Sequence, residues 1–122
     1  MEKTLNEIAR KIHAINKDKG FWDNERNVGE MLMLVVTELA EALEAHRKGR
    51  MVDGDLIKRF SVEECNNAYF TAYIKDKFED EIADAFIRLF DLCGGLGIDI
   101  DTHIRLKVEY NKSRERLHGK KY

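Results

Sequence analysis

The sequence contains no proline, only two cysteines and no long apolar run. Without proline, helices are interrupted only by glycine and by polar loops. Cys65 and Cys93 form no Cys-x-x-Cys pair, which argues against a disulfide framework and a thiolate zinc site. The longest apolar run, 31–36, is too short to span a membrane, and no secretory apolar region is seen. We therefore expect a cytoplasmic protein that does not bind a membrane.

The sequence also lacks an excess of either charge. It has 21 Lys and Arg against 23 Asp and Glu, for a net charge of −2. A protein that binds nucleic-acid polymers needs cations for the phosphates, so such a partner is not expected. A small phosphorylated ligand held through a metal ion is compatible with this balance. The length of 122 residues predicts a single domain over 1–122.

Apolar residues recur at helical spacing through most of the chain, which predicts an all-α fold. We expect a four-helix-bundle core with an inserted helical arm around residues 50–77. In that arm, Ser61 and Glu64 have the spacing of a capping box and predict the start of a short helix. The four main helices are predicted over Leu5 to Asn16, from a cap at Asn27 to Lys48, Phe78 to Cys93, and Asp101 to Gly119.

The second main helix carries Glu38 and Glu41, whose i, i+3 spacing places both on one face. Its core stripe is predicted to be Leu32, Val35, Val36, Leu39 and Leu43. Glu38 nevertheless lies among apolar positions, where an unpaired carboxylate is costly. We expect something to neutralise it.

The third main helix repeats the spacing with Glu81 and Asp84. Its core stripe is predicted to be Phe78, Ile82, Ala85, Phe86, Leu89 and Cys93, with Glu81 at the edge. Two such pairs on antiparallel helices offer only carboxylate oxygens, which suit Mg²⁺, or Mn²⁺ as a substitute. A single acidic pair is more commonly just an exposed helix face.

The last predicted helix has a basic and polar line formed by Lys107, Asn111, Arg114 and His118, with Lys120 following. Lysine, arginine and asparagine side chains can contact phosphate groups. Taken alone, the line is explained more simply by cations near the negative end of the helix dipole.

In their order along the chain, these three sets of residues resemble the MazG-like all-α nucleoside triphosphate pyrophosphohydrolases, which include dCTP pyrophosphatase and dUTPase-like relatives. The resemblance implies hydrolysis of a nucleoside or deoxynucleoside triphosphate to the monophosphate and pyrophosphate, by water activated with the help of Mg²⁺. It implies a homodimer or a dimer of dimers. It makes Glu38, Glu41, Glu81 and Asp84 the metal ligands, with Glu41 and Glu38 as catalytic carboxylates, and Lys107, Asn111, Arg114 and Lys120 the phosphate contacts.

His13 and Trp22 occupy places that resemble the base contacts of dCTP pyrophosphatase-type relatives. Arg88 stands where some relatives have an aromatic base contact. The segment between Glu41 and Glu81 is longer than is usual in the family, and its residues 50–77 have no recognised counterpart. These departures affect the identity of the substrate rather than the four acids.

Two alternatives come from the residues. A di-iron carboxylate bundle needs Glu-x-x-His on two helices. The chain offers a single match, Glu115 to His118, so this alternative is weak. The other is a non-catalytic module that binds nucleotide or a protein partner, with the aromatic residues of 50–77 as a docking arm.

Overall fold

The computed structural model describes residues 4–59 and 61–121, and over these residues the protein is helical with no strand. The predicted all-α class is confirmed. No described helix is long and apolar enough to cross a membrane. The helices are α1 (Leu5–Asp18), α2 (Val28–Arg47), α3 (Gly54–Ile57), α4 (Asn67–Tyr73), α5 (Phe78–Leu96) and α6 (Ile100–Lys112), with 3₁₀ turns at Val62–Glu64 and Arg116–Gly119.

The described residues group into two compact units. The terminal unit comprises 4–23 and 90–121, and the central unit comprises 24–59 and 61–89. Helix α5 contributes its first part to the central unit and its last turns to the terminal unit. A single domain over 1–122 and a four-helix-bundle core remain predictions.

In the terminal unit, α1 and α6 cap each other's first turn. The two carboxylate oxygens of Asp101 accept hydrogen bonds from the backbone N–H groups of Leu5 (3.1 Å) and Asn6 (3.0 Å). The side-chain oxygen of Asn6 accepts one in return from the backbone of Asp101 (3.2 Å). Helix N-termini carry N–H groups without helical partners, so this exchange satisfies both ends at once.

Helix α5 ends at Leu96, three residues beyond the predicted end at Cys93. Gly94 and Gly95 lie inside the helix, where the absence of a side chain allows His13 and Trp22 to pack against the helix backbone. A Cβ at Gly94 would lie 2.6 Å from the His13 Cβ, and one at Gly95 would lie 2.4 Å from the Trp22 ring. The helix stops instead at Gly97, whose φ of +66° is the left-handed conformation favoured by glycine.

Helix α6 ends at Lys112, so the prediction that the last helix reaches Gly119 is wrong. The Ser113 hydroxyl donates to the carbonyl of Tyr110 (2.7 Å), a local bond that competes with continuation of the helix. Leu117 and His118 then have left-handed backbone angles, with φ of 57° and 52°. The predicted basic line is therefore divided between a helix and the irregular segment after it.

The insert, which we define as residues 50–77, is fastened to the start of α5. The backbone N–H of Phe78 donates to the carbonyl of Arg50 (2.8 Å). Both carboxylate oxygens of Glu79 accept from the backbone N–H of Val52, at 3.1 and 3.0 Å. The two ends of the insert are thus adjacent.

Within the insert the predicted capping box is wrong. The Ser61 side chain caps nothing, and the short turn after it is a 3₁₀ helix. Helix α4 begins later, where the Asn66 side chain accepts from the backbone N–H of Tyr69 (3.0 Å). Asparagine is as favourable as serine at the position before the first residue of a helix.

The predicted core stripe is wrong for most of α2 and for part of α5, where Ala85 and Cys93 are buried as predicted. Four of the five residues assigned to the core of α2 are about half exposed in the single chain, namely Leu32, Val36, Leu39 and Leu43. Phe86 and Leu89 of α5 are exposed as well. The buried face of α2 instead contains Met31, Val35, Glu38, Ala42 and Ala45.

Candidate metal centre

Glu38 lies on the buried face of α2, between Val35 and Ala42. Only 8% of Glu38 is exposed, as its apolar neighbours in the sequence predict. The helix places it there because residues 31, 35, 38, 42 and 45 follow a single face. Glu41, three residues further on, is exposed, so one member of the pair remains accessible from outside.

Helix α5 brings Glu81 to the same place. One oxygen from each of Glu38, Glu41 and Glu81 lies within 4.8 Å of the others. Glu81 is 6% exposed, the least of the three. Two helices far apart in sequence therefore bring three carboxylates together in the central unit.

One oxygen of this cluster lacks a hydrogen-bond donor among the described residues. The Oε2 atom of Glu81 is buried and has no hydrogen-bond partner among the described residues. Burial, together with the adjacent carboxyl groups of Glu41 and Glu38, raises the pKa of Glu81 to about 8. A buried acceptor without a donor is costly, so the cluster calls for a proton or a cation.

The chain supplies one positive charge to the cluster. Arg88 Nε donates to Glu38 Oε1 at 2.9 Å, across from α5 to α2. Because a carboxylate has two oxygens, the second oxygen of Glu38 remains for another ligand. Arg88 therefore positions Glu38, a contact that its predicted role beside the base did not include.

Asp84 is close to the cluster without joining the three-carboxylate group. Burial raises the pKa of Asp84, and the negative charges of Asp80 and Glu38 add to that effect. Glu81 also belongs to a second group, in which its carboxylate lies within 4.8 Å of Asp76 and Asp80. Glu81 is thus the carboxylate that both groups share.

The donor set fits a hard divalent cation. Oxygen ligands bind Mg²⁺ at about 2.0–2.1 Å, so two of them on one ion are at most about 4.2 Å apart. Oxygens that lie within 4.8 Å of one another can reach a shared ion once the side chains close around it. The unpartnered oxygen of Glu81 is an available ligand atom for such an ion.

The predicted phosphate contacts belong to the terminal unit, and the acids belong to the central unit. Lys107 and Arg114 lie against Tyr110, with their cationic groups 5.0 and 5.4 Å from the ring centroid. Arg114 also donates to the carbonyl of His118 (3.3 Å). Asn111 has a buried side-chain oxygen without a partner among the described residues. Lys120 caps the 3₁₀ turn through its backbone.

The predicted base contacts His13 and Trp22 meet on Asp91, also in the terminal unit. Trp22 Nε1 donates to Asp91 Oδ1 at 2.9 Å, and His13 Nδ1 lies 3.0 Å from the same oxygen. Because a carboxylate only accepts, Nδ1 carries the His13 proton. The two rings pack edge to face, 4.7 Å apart. Both residues are therefore built into the packing of this unit.

Sequence reasoning missed three groups, namely Asp91, the Arg88–Glu38 pair and the Asp76–Asp80 extension. Asp91 had a signal, because an aspartate between Phe90 and Leu92 interrupts an apolar run. The sequence signal for Arg88 was weaker, and consisted of its position one helical turn from Asp84. Asp76 had none, because its position depends on the path of the insert.

Comparison of the chain with models of protein families, with curated proteins and with solved structures finds no match. The likeness to MazG-like enzymes therefore rests on the residues and their spacing, and the chemistry has to be argued from the site itself.

Proposed function

We propose that the protein is a Mg²⁺-dependent nucleoside triphosphate pyrophosphohydrolase, which hydrolyses a nucleoside or deoxynucleoside triphosphate to the monophosphate and pyrophosphate. The observation that carries the proposal is the meeting of Glu38, Glu41 and Glu81, with a buried oxygen of Glu81 lacking any donor among the described residues. A cluster that only stabilised the fold would place donors there. Asp84 completes the predicted ligand set.

Bound to these oxygens, Mg²⁺ or Mn²⁺ would neutralise the triphosphate and favour attack at the α-phosphorus. Glu41, the exposed member, orients the attacking water and accepts its proton. The water oxygen bonds to the α-phosphorus, and the bond from that phosphorus to the bridging oxygen of pyrophosphate breaks. Glu38, held by Arg88, positions the cluster.

The proposal extends to the rest of the site as the resemblance implies it. Lys107, Asn111, Arg114 and Lys120 would contact the phosphates, and the unpartnered oxygen of Asn111 supports a ligand there. The four long helices, α1, α2, α5 and α6, would form the bundle core.

A second copy of the chain is the partner we propose for the exposed stripe of α2. Its residues, Leu32, Val36, Leu39 and Leu43, follow one another at intervals of four, three and four. That is the heptad spacing of helices that pack side by side. Four large apolar residues, each about half exposed, favour a homodimer or a dimer of dimers.

A pyrophosphate-release screen over canonical and modified nucleoside triphosphates, with Mg²⁺ and with Mn²⁺, tests the activity. We expect release of pyrophosphate, rather than phosphate, from at least one substrate, and none with EDTA. Absence of release from every substrate, with either ion, would contradict the proposal.

Sedimentation velocity tests the assembly. We expect a dimer or tetramer, and a smaller species for Leu39→Glu, since a charge in an apolar seam is costly. Glu44→Gln, at an exposed position of the same helix, is the control that should leave the assembly unchanged. A monomer at every concentration would exclude the second copy.

One observation favours a non-catalytic nucleotide-binding or interaction module as the second candidate. The Arg88–Glu38 ion pair already neutralises part of the cluster without a metal ion. Titration with Mn²⁺, followed by electron paramagnetic resonance, separates the two candidates. The enzyme requires Mn²⁺ binding that Glu81→Gln weakens, whereas a module whose cluster is neutralised by Arg88 alone predicts no Mn²⁺ binding that Glu81→Gln changes.

A further inference from the structure

The insert and the start of α5 line an open cavity of about 410 Å³ in the central unit. This volume lies within the roughly 300–1,000 Å³ of small-molecule sites. Its walls are apolar, formed by Val52, Ile57, Phe70, Ile74 and Ala83. Val52 is held in place through its backbone bond to Glu79, so the wall is fixed to α5.

The cavity adjoins the acidic cluster. Asp80 lines the cavity, and its carboxylate lies within 4.8 Å of that of Glu81. Glu81 in turn belongs to the group with Glu38 and Glu41. A ligand whose phosphates were held at the cluster would therefore have an apolar pocket within one side chain of them.

We propose that this cavity receives the base of the nucleotide, and that the insert is the part of the chain that selects the substrate. The inference rests on the proposed function and deepens it. Phe70 offers an aromatic face, and the aliphatic walls suit a flat, neutral ring. A phosphate group is excluded from the pocket itself, because the charged residues of its described lining, Glu79 and Asp80, are both acidic.

The pocket also discriminates between bases. Among the described residues, the side chains that line it include two acceptors, the carboxylates of Glu79 and Asp80, and no donor. Asp80 takes one bond from the backbone of Asp76 (2.9 Å) and has further lone pairs free to accept from a ligand. A base with an exocyclic amino group, namely adenine, cytosine or guanine, is matched there, whereas uracil and thymine offer a single N–H between two carbonyl groups that find no donor side chain. We expect a preference of about tenfold, the scale of one unmatched buried group.

Three variants test the pocket. Ala83→Leu fills it, Phe70→Ala removes its aromatic wall, and Ala72→Leu is the control, since Ala72 is exposed on the same helix as Phe70 without lining the cavity. The probes are α,β-imido analogues of dATP, dCTP and dUTP with Mg²⁺, and inorganic tripolyphosphate. Their binding is measured by calorimetry, and the site is located from the methyl resonances of Val52, Ile57 and Ile74.

We expect Ala83→Leu and Phe70→Ala to weaken binding of the dATP or dCTP analogue at least about tenfold, as loss of one apolar contact region does. Tripolyphosphate and Mn²⁺ should bind them as they bind the wild type and Ala72→Leu. If both pocket variants bind the analogues normally, or if the methyl shifts lie elsewhere, the inference is wrong while the proposed function stands. If the wild type neither binds any analogue nor hydrolyses any nucleotide, the inference and the proposed function are both wrong.

Discussion

Carboxylates in the two compact units meet opposite surroundings. In the terminal unit, Asp91 accepts from Trp22 and His13, and Asp101 accepts from two backbone N–H groups. In the central unit, Glu38, Glu41 and Glu81 face one another, with one arginine among them. Carboxylates of the terminal unit thus accept several hydrogen bonds, whereas those of the central unit face mainly one another.

The pKa values follow this difference. Hydrogen bonds from Asn6 and Thr102 lower the pKa of Asp99 to about 2, whereas burial and neighbouring acids raise that of Glu81 to about 8. A carboxylate supplied with donors stabilises a fold. A carboxylate without them weakens the fold until a ligand arrives, which is the mark of a binding site.

The largest expected effect concerns the cluster without donors. Glu81→Gln and Asp84→Asn should each lower kcat by at least about 100-fold, a loss that removal of a residue merely supporting a metal ligand can already reach. Circular dichroism should show the helical fold intact. Glu44→Gln, an exposed glutamate on α2 paired with Lys48, is the control and should keep full activity. Near-normal pyrophosphate release by either variant would end the assignment of that residue.

The converse change concerns the carboxylate that has donors. Asp91→Ala should destabilise the protein by about 3 kcal/mol, because it removes the buried acceptor of the partly buried donors of Trp22 and His13. For a chain of this size, that lowers Tm by about 10 °C. Mn²⁺ affinity should be unchanged. A variant of normal stability that lost Mn²⁺ would reverse the roles we assign to the two regions.

The pH dependence of the metal-free protein sharpens the comparison. The pKa of Glu81 is about 8 in the folded state against 4.5 as its ordinary value, so the folded state binds more protons between these values. The stabilising effect of that proton is fully present below pH 4.5 and is lost as pH rises towards 8. We expect the free energy of unfolding to fall by up to about 5 kcal/mol over this range, measured by urea denaturation with EDTA. In Glu81→Gln the slope should flatten, and an unchanged slope would show that another group causes it.

The smallest expected effect on the stability of the fold concerns Asp99. Its pKa is lowered to about 2 from 3.8, so its contribution is present above pH 4 and is lost as pH falls to 2. The urea midpoint of Asp99→Ala should lie slightly below that of the wild type at neutral pH. The difference should shrink between pH 4 and pH 2, and a constant difference over that range would contradict the interpretation.

Local patterns predicted the existence of the main helices and the start of three of them, α1, α2 and α5. Helical spacing placed α1, α2 and α5, and the Asn27 side chain caps α2 as expected, accepting from the backbone of Glu30 at 2.9 Å. The ends were harder to predict. Gly94 and Gly95 read as a helix stop, yet their role depends on the approach of His13 and Trp22, which are distant in sequence.

The buried faces show the same limit. The most apolar stripe of α2 was assigned to the core, but Leu39 and its neighbours are exposed in the single chain, and the narrower face with Glu38 is buried. Hydrophobicity predicts that a face will be covered but does not tell whether the same chain covers it. The meeting of Glu38, Glu41 and Glu81 was predictable from spacing, whereas the ion pair with Arg88 and the cavity depend on tertiary structure.

The bond between the carbonyl of Arg50 and the N–H of Phe78 has an evolutionary consequence. A segment whose entry and exit lie side by side is a module that recombination can add, exchange or delete without displacing its host helices. Replacing 51–77 by a short glycine–serine linker should therefore leave a folded protein that still binds Mn²⁺. Relatives that differ only in this module would share one reaction and differ in substrate specificity.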